Sequence, residues 1–189
     1  VLKDEARKLY REKRQSITVI EKNKLDDFLL IQLQRLKLPF LQTILTYWPI
    51  EENNEPNTHL LVDFLAFRNP ELKVAYPRMS ANDRNLQGIL VDADTAFKKE
   101  SFNVPEPISD HIISPNAFDM VIVPMLICDK KGNRVGYGRG FYDNYLKACR
   151  PDCIKLGVMY FEPVDLIEDS HEFDVPLNCC ITPGNNYVF

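Results

Sequence analysis

No apolar run in the chain approaches the length of a membrane span, and the N-terminal segment is charged where a secretory signal would be apolar. A cytoplasmic protein with no membrane partner is expected. Cysteine is sparse and odd in number, with five residues at 128, 149, 153, 179 and 180, no Cys-x-x-Cys pair and no histidines at zinc-finger spacing. This argues against a disulfide framework and a zinc site, and leaves free thiols of a reducing compartment. His59, His111 and His171 are the only histidines, and none forms an evident triad with a nucleophile. Positive charge is not in excess. With 23 Lys and Arg against 27 Asp and Glu, a net charge of −4 gives no global field for a polyanion, so nucleic acid is not an expected partner. Any anion must be held by a local basic cluster.

Glycine is scarce too, yet three of the seven in the chain stand at alternate positions, Gly136, Gly138 and Gly140. They follow a β-branched apolar run, Met120 to Cys128, closed by the turn residues Asp129-Lys130-Lys131-Gly132. Beyond them Phe141, Tyr145, Leu146 and Cys149 recur at helical spacing until Pro151. The block therefore lies between a strand and a helix N-terminus. Glycine lets backbone N–H groups approach a ligand without an intervening Cβ, the helix adds its positive end, and Arg134 and Arg139 add charge. Asp143, in the first helical turn, would be repelled by bare phosphate but suits a magnesium ion bridging phosphate oxygens. The dinucleotide fingerprint is excluded because Phe141 stands where its last glycine would fall, and no Gly-Lys-Ser/Thr exists for a Walker loop. A tight turn, with Asp143 serving only the helix dipole, is the alternative.

Elsewhere the pattern alternates helices with short strands. Val1 to Gln15 has a helical apolar stripe, and Lys3, Arg7, Arg11 and Arg14 share one face. That face either reaches an anion or is a solvated stripe paired with Asp4, Glu5 and Glu12. Thr18-Val-Ile-Glu21 is a capping box opening a second amphipathic helix that ends before Pro39. Strands are expected at Thr43 to Tyr47, Lys73 to Pro77, Leu86 to Val91, Ile154 to Tyr160 and Cys179 to Thr182, with a helix from His59 to Phe67. Arg78, just past a strand end, faces the site or plain solvent. The segment 92–101 carries no clear period. A single α/β domain spanning residues 1–189 follows, with a mainly parallel sheet covered on both faces.

Met120-Val-Ile-Val-Pro124, Asp129, Gly132, Arg134, Gly136, Gly138, Gly140, Tyr142-Asp143 and Leu146 together resemble the signature of the 5-formyltetrahydrofolate cyclo-ligase family, in order and without a gap. Lys3-Asp4-Glu5-Ala6-Arg7 is similar to the Lys-x-x-x-Arg helix with which that family contacts ATP. Glu55-Pro56-Asn57-Thr58 resembles its Glu-x-Asp/Glu-Thr element, whose glutamate contacts the folate; Asn57 replaces an acid there. The resemblance covers nearly the whole chain. It implies a three-layer, Rossmann-like fold and ATP- and Mg²⁺-dependent closure of 5-formyltetrahydrofolate to 5,10-methenyltetrahydrofolate by a monomer.

On that reading the ATP site comprises Lys3, Asp4, Glu5, Ala6, Arg7 and the block Arg134, Val135, Gly136, Tyr137, Gly138, Arg139, Gly140, Phe141, Tyr142. Arg139, Lys3 and Arg7 stabilise the transferred phosphate, and Asp143 holds the metal. Trp48, Glu55, Tyr137, Gly138, Arg139, Gly140 and Phe141 meet the folate, with Trp48 equally suited to the core. Arg11 and Arg14 lie outside the matched motif and are expected to leave ATP binding unchanged. Tyr137, Phe141, Pro163, Phe173 and Asn178 depart from the family pattern, and the Glu106-Pro107 element is expected to be a rigid connection. Two other readings stay open: an enzyme of related architecture acting on a sugar phosphate or CoA thioester, and a nucleotide-binding regulatory protein without turnover.

Overall fold

The computed structural model describes residues 1–80, 82 and 85–189, and at residue 101 the backbone alone. Helix α1 (Lys3–Gln15) is followed by α2 (Val19–Arg35), whose N-terminus is the predicted capping box: Glu21 N–H donates to Thr18 Oγ1 at 3.3 Å and Thr18 N–H to Glu21 Oε2 at 2.9 Å. Strand β1 (Thr43–Leu45) leads through the loop carrying Trp48 and Glu55 to α3 (Thr58–Arg68), capped by Asn57. Then come the long hairpin β2 (Lys73–Ser80) and β3 (Asn85–Val91), a second hairpin β4 (Phe97–Lys99) and β5 (Pro105–Pro107), and β6 (Ile112–Ile113).

The predicted strand from Met120 to Cys128 is in fact two. Strand β7 (Met120–Val123) stops at Pro124, which has no N–H for a ladder, and β8 (Ile127–Cys128) turns away to pair with β9 (Arg134–Val135). Helix α4 (Phe141–Ala148), β10 (Ile154–Val158), β11 (Cys179–Ile181) and β12 (Asn186–Val188) complete the chain. The turn between β8 and β9 is organised by Asp129. Fully buried, it accepts N–H bonds from Lys131 and Asn133 at 2.9 Å and from Ile167 at 3.1 Å. Gly132 in that turn has φ +83°, and a Cβ there would meet the Leu177 carbonyl at 2.9 Å.

Eight strands form one sheet in the order β12-β11-β10-β7-β1-β2-β3-β6; the central five are parallel and both margins antiparallel. The mixed α/β class with a mainly parallel sheet is as expected. Strand alternation assigns the two faces. Leu45, Val121, Val123 and Cys180 pack with Ala6 and Tyr10 of α1 and Phe141, Tyr145 and Leu146 of α4. Ile44, Met120, Ile122, Leu156, Cys179 and Ile181 pack with Leu29 and Leu33 of α2 and Leu61, Val62 and Leu65 of α3. All five cysteines are buried and free. No helix among the described residues is long and apolar enough to cross a membrane. This layering sets α1, the β1 loop and the glycine block around the carboxyl ends of the central strands, where ligands of such sheets bind.

Candidate active site

A cavity of about 620 Å³ opens at that place. Its wall includes Lys3, Arg7, Arg11 and Arg14 from α1, Trp48 and Glu55 from the loop after β1, Phe102 from between β4 and β5, and Arg134, Gly136 to Asp143 and Asp174. Six cations face three carboxylates there, an excess of positive charge on a chain that is acidic overall. The predicted residues Asp4, Glu5, Ala6 and Val135 are not in the wall. Ala6 and Val135 are core residues, Asp4 is exposed and pairs with Arg7, and Glu5 is exposed.

The glycines do what their spacing suggests at two positions. Gly138 has φ +86° and Gly140, which caps α4, has φ +76°. An added Cβ at Gly138 would meet the Arg7 guanidinium at 3.3 Å, whereas at Gly140 it would meet nothing within 4 Å. Arg7 thus lies directly on the loop, and its Nε donates to Gly136 O at 3.1 Å. Lys3 is held at the cavity by Asp174, Nζ to Oδ2 2.5 Å, and Asp174 also accepts from His171 N–H at 2.7 Å. Burial pushes the Asp174 carboxyl up, but the Lys3 hydrogen bond leads the effects that outweigh it and hold the group below its ordinary range.

Arg134 is differently employed from a free phosphate ligand. Its Nη2 donates to Asp143 Oδ1 at 2.7 Å and its Nη1 to the Val175 carbonyl, and its side chain is 5 % exposed. Asp143 Oδ1 also accepts Val175 N–H at 3.0 Å, so this oxygen is occupied, and Oδ2 has no protein partner among the described residues. The described residues contain no group of three or more His, Cys, Asp or Glu able to hold a metal. Asp143, in the wall of a cationic cavity and with one carboxylate oxygen unpartnered among the described residues, still fits magnesium, which commonly takes one or two protein carboxylates and completes its shell with phosphate and water. Arg11 and Arg139 have no carboxylate partner among the described residues. Arg139 lies over the Phe102 ring, 3.5 Å from its centroid, and Phe102 meets Phe141 edge-on at 5.8 Å.

At the other end Glu55 is 3 % exposed. Its Oε1 accepts from the Tyr137 hydroxyl and its Oε2 from Ile50 N–H at 2.8 Å. Burial raises the Glu55 carboxyl, against the opposing pull of the Tyr137 and Ile50 hydrogen bonds and of Arg14 and Lys22. Trp48 is half-buried, 4.7 Å from His59 and 4.8 Å from Phe97 by ring centroids, and still lines the cavity; it serves core and wall together. The Tyr142 hydroxyl is buried with no partner among the described residues.

Comparison with known proteins gives the family. A family model described as the 5-formyltetrahydrofolate cyclo-ligase family matches residues 2–183. The chain belongs to that family. A cyclo-ligase of Mycoplasma pneumoniae is 27 % identical over 182 residues, covering 95 % of this chain and 97 % of the relative. Among solved structures, the Aquifex aeolicus 5,10-methenyltetrahydrofolate synthetase superposes with a TM-score of 0.81 at 23 % identity, over all of this chain and 93 % of that one. The Mycoplasma pneumoniae synthetase gives 0.71 at 25 % identity, over 93 % and 95 %.

Sequence reasoning missed several wall residues of this cyclo-ligase-family chain, Arg11, Arg14, Phe102 and Asp174 among them. Arg11 and Arg14, expected to lie outside the matched motif and to leave ATP binding unchanged, line the cavity, and Arg14 is 3 % exposed. Their i, i+4 and i+7 spacing from Arg7 was the available signal, since it keeps them on the same face. Phe102 gave no signal because its segment has no period. Arg78 is not in this wall; it donates to Ser109 O at 3.0 Å and Gln87 Oε1 at 3.2 Å beside a separate cavity.

Proposed function

We propose that the chain catalyses ATP-dependent cyclisation of 5-formyltetrahydrofolate to 5,10-methenyltetrahydrofolate, releasing ADP and phosphate, as a monomeric cytoplasmic enzyme. The observation that carries this reading, beside family membership, is one cavity joining a glycine and arginine phosphate cradle to a buried carboxylate beside an aromatic wall. A formamide oxygen is a poor leaving group. It becomes a good one when it attacks the γ-phosphorus and displaces ADP, after which N10 attacks the activated carbon and gives up its proton, and the C–O bond breaks to give phosphate, which can carry that proton, and the five-membered ring. No side-chain nucleophile is needed. The protein's task is alignment and charge stabilisation.

Each part of the cavity suits one share of that task. The Gly138 and Gly140 backbone, Lys3, Arg7 and Arg139 would hold the triphosphate and stabilise charge on the transferred group. Asp143 Oδ2 would hold magnesium, which when bound neutralises phosphate charge. Glu55 would accept the N–H donors of the pterin, and Trp48 and Phe141 would cover its flat ring. The test is direct: 5-formyltetrahydrofolate, ATP and Mg²⁺ mixed with the protein should give the near-ultraviolet absorbance of the methenyl product. Nucleotide binding without product would instead favour a regulatory protein.

A further inference from the structure

We infer that Arg14 is a positioning residue of the pterin subsite, acting through Tyr137 to fix Glu55 as an oriented, ionised acceptor. The inference rests on the proposed reaction and concerns a residue outside the motifs that suggested it. Arg14 sits in the last turn of α1, where its Nη2 donates to the Tyr137 hydroxyl at 2.5 Å and its Nη1 to Met125 O at 3.3 Å. Nη2 is 3.9 Å from Glu55 Oε1, and Nε is buried with no partner among the described residues. For folding alone this is a poor arrangement. A buried guanidinium with an unmet N–H is costly, and an apolar side chain of similar volume is commonly neutral or better in such a place.

The direction of the chain is fixed by its chemistry. Arginine only donates, so the Tyr137 oxygen must accept from it, and the single Tyr137 proton must then go to Glu55. Ile50 N–H donates to the other carboxylate oxygen. Glu55 is thus met by donors on both oxygens, an arrangement that a protonated carboxyl would satisfy less well. What it can still accept is an N–H from the cavity, which selects a ligand presenting adjacent donors such as an aminopyrimidinone edge. The charged and titratable groups around Glu55 are Arg14, Tyr137, Lys22 of α2, Tyr47, Tyr142 of α4 and Tyr160, whose hydroxyl is 3.4 Å from Glu55 O. Only Arg14 and Lys22 among these are cations. Burial works to protonate Glu55, so removing Arg14 leaves that pressure less opposed.

The test measures kcat and KM for 5-formyltetrahydrofolate across pH at saturating Mg-ATP for the parent, Arg14→Met, Arg14→Lys and Tyr137→Phe, with calorimetric titration of nucleotide. Arg14→Met should raise KM for the folate about tenfold or more, as for a lost charged hydrogen bond. It should also move the acidic limb of kcat/KM to higher pH. Arg14→Lys should restore the limb towards that of the parent. Tyr137→Phe should raise KM while nucleotide affinity stays within about twofold, a margin well under one tenfold step. If Arg14→Met does not fold, Arg14→Lys and Tyr137→Phe decide. An active parent whose variants keep its KM and acidic limb, or lose kcat alone, overturns the inference. A parent that forms no methenyl product overturns the reaction and the inference together.

Discussion

Asp143→Asn separates two roles that the structure gives one side chain. Asn keeps an oxygen for Arg134 Nη2 and Val175 N–H, at 2.7 and 3.0 Å, so local geometry should survive. What is lost is the charge opposite a guanidinium that is 5 % exposed. Exchanging a hydrogen bond between two opposite charges for one from the guanidinium to a neutral amide oxygen costs about 1 kcal/mol, and the poorly compensated guanidinium adds a similar amount. A total of about 1–2 kcal/mol follows, below the roughly 3–5 kcal/mol of deleting one partner of a buried pair. In a chain of this length that lowers Tm by about 2–8 °C. Circular dichroism melts without ligand read this term. Initial rates against Mg²⁺, taken well below both transitions, read the other: the half-saturating concentration should rise about tenfold or more, and excess Mg²⁺ should partly restore turnover. An unchanged melt would refute the claim that Asp143 holds Arg134. Parental rates at limiting Mg²⁺ would leave Asp143 no metal role.

Three further expectations can be checked with purified variants. Glu55→Gln should raise KM for 5-formyltetrahydrofolate by about 10- to 100-fold and leave nucleotide affinity nearly unchanged; an equal loss for both in calorimetry would make the loop structural. Lys3→Ala and Arg7→Ala should each weaken ATP binding by roughly 1–3 kcal/mol and couple to Arg139→Ala by more than about 0.5 kcal/mol in a double-mutant cycle, whereas strict additivity at normal affinity would remove α1 from the phosphate site. Gly138→Ala should weaken nucleotide binding more than Gly140→Ala: both carry about 1–2 kcal/mol of left-handed backbone strain, but only the former also presses on the Arg7 guanidinium. Equal effects would mean that Arg7 does not rest on the loop.

The parts of the site visible in the sequence are those with local causes. Alternate glycines before a helix imply a backbone that must pass close to something, and cations at helical spacing imply one face, whatever the rest of the chain does. The capping box at Thr18 and the strands with β-branched runs were readable for the same reason. What escaped depends on distant partners. The purpose of Arg14 is set by Tyr137 and Glu55, which lie 123 and 41 positions away along the chain. Arg134 is engaged by Asp143 and by the Val175 carbonyl 41 positions away, partners that a charge beside a glycine block does not reveal. Pro124 did carry the signal that Met120 to Cys128 cannot be one strand, because it cannot donate to a ladder. Phe102 reaches the cavity only through the β4–β5 hairpin, and no periodicity marks that segment.

The central claim is that one cavity brings the γ-phosphate of ATP to the formyl oxygen of 5-formyltetrahydrofolate. A single-cuvette assay tests it most directly, following methenyl absorbance in the near ultraviolet and phosphate release in the same sample. The account predicts that both appear at equal rates, that both require ATP and the folate together, and that both fall in Arg139→Ala. Phosphate release without methenyl product, or product formed without ATP, would contradict it.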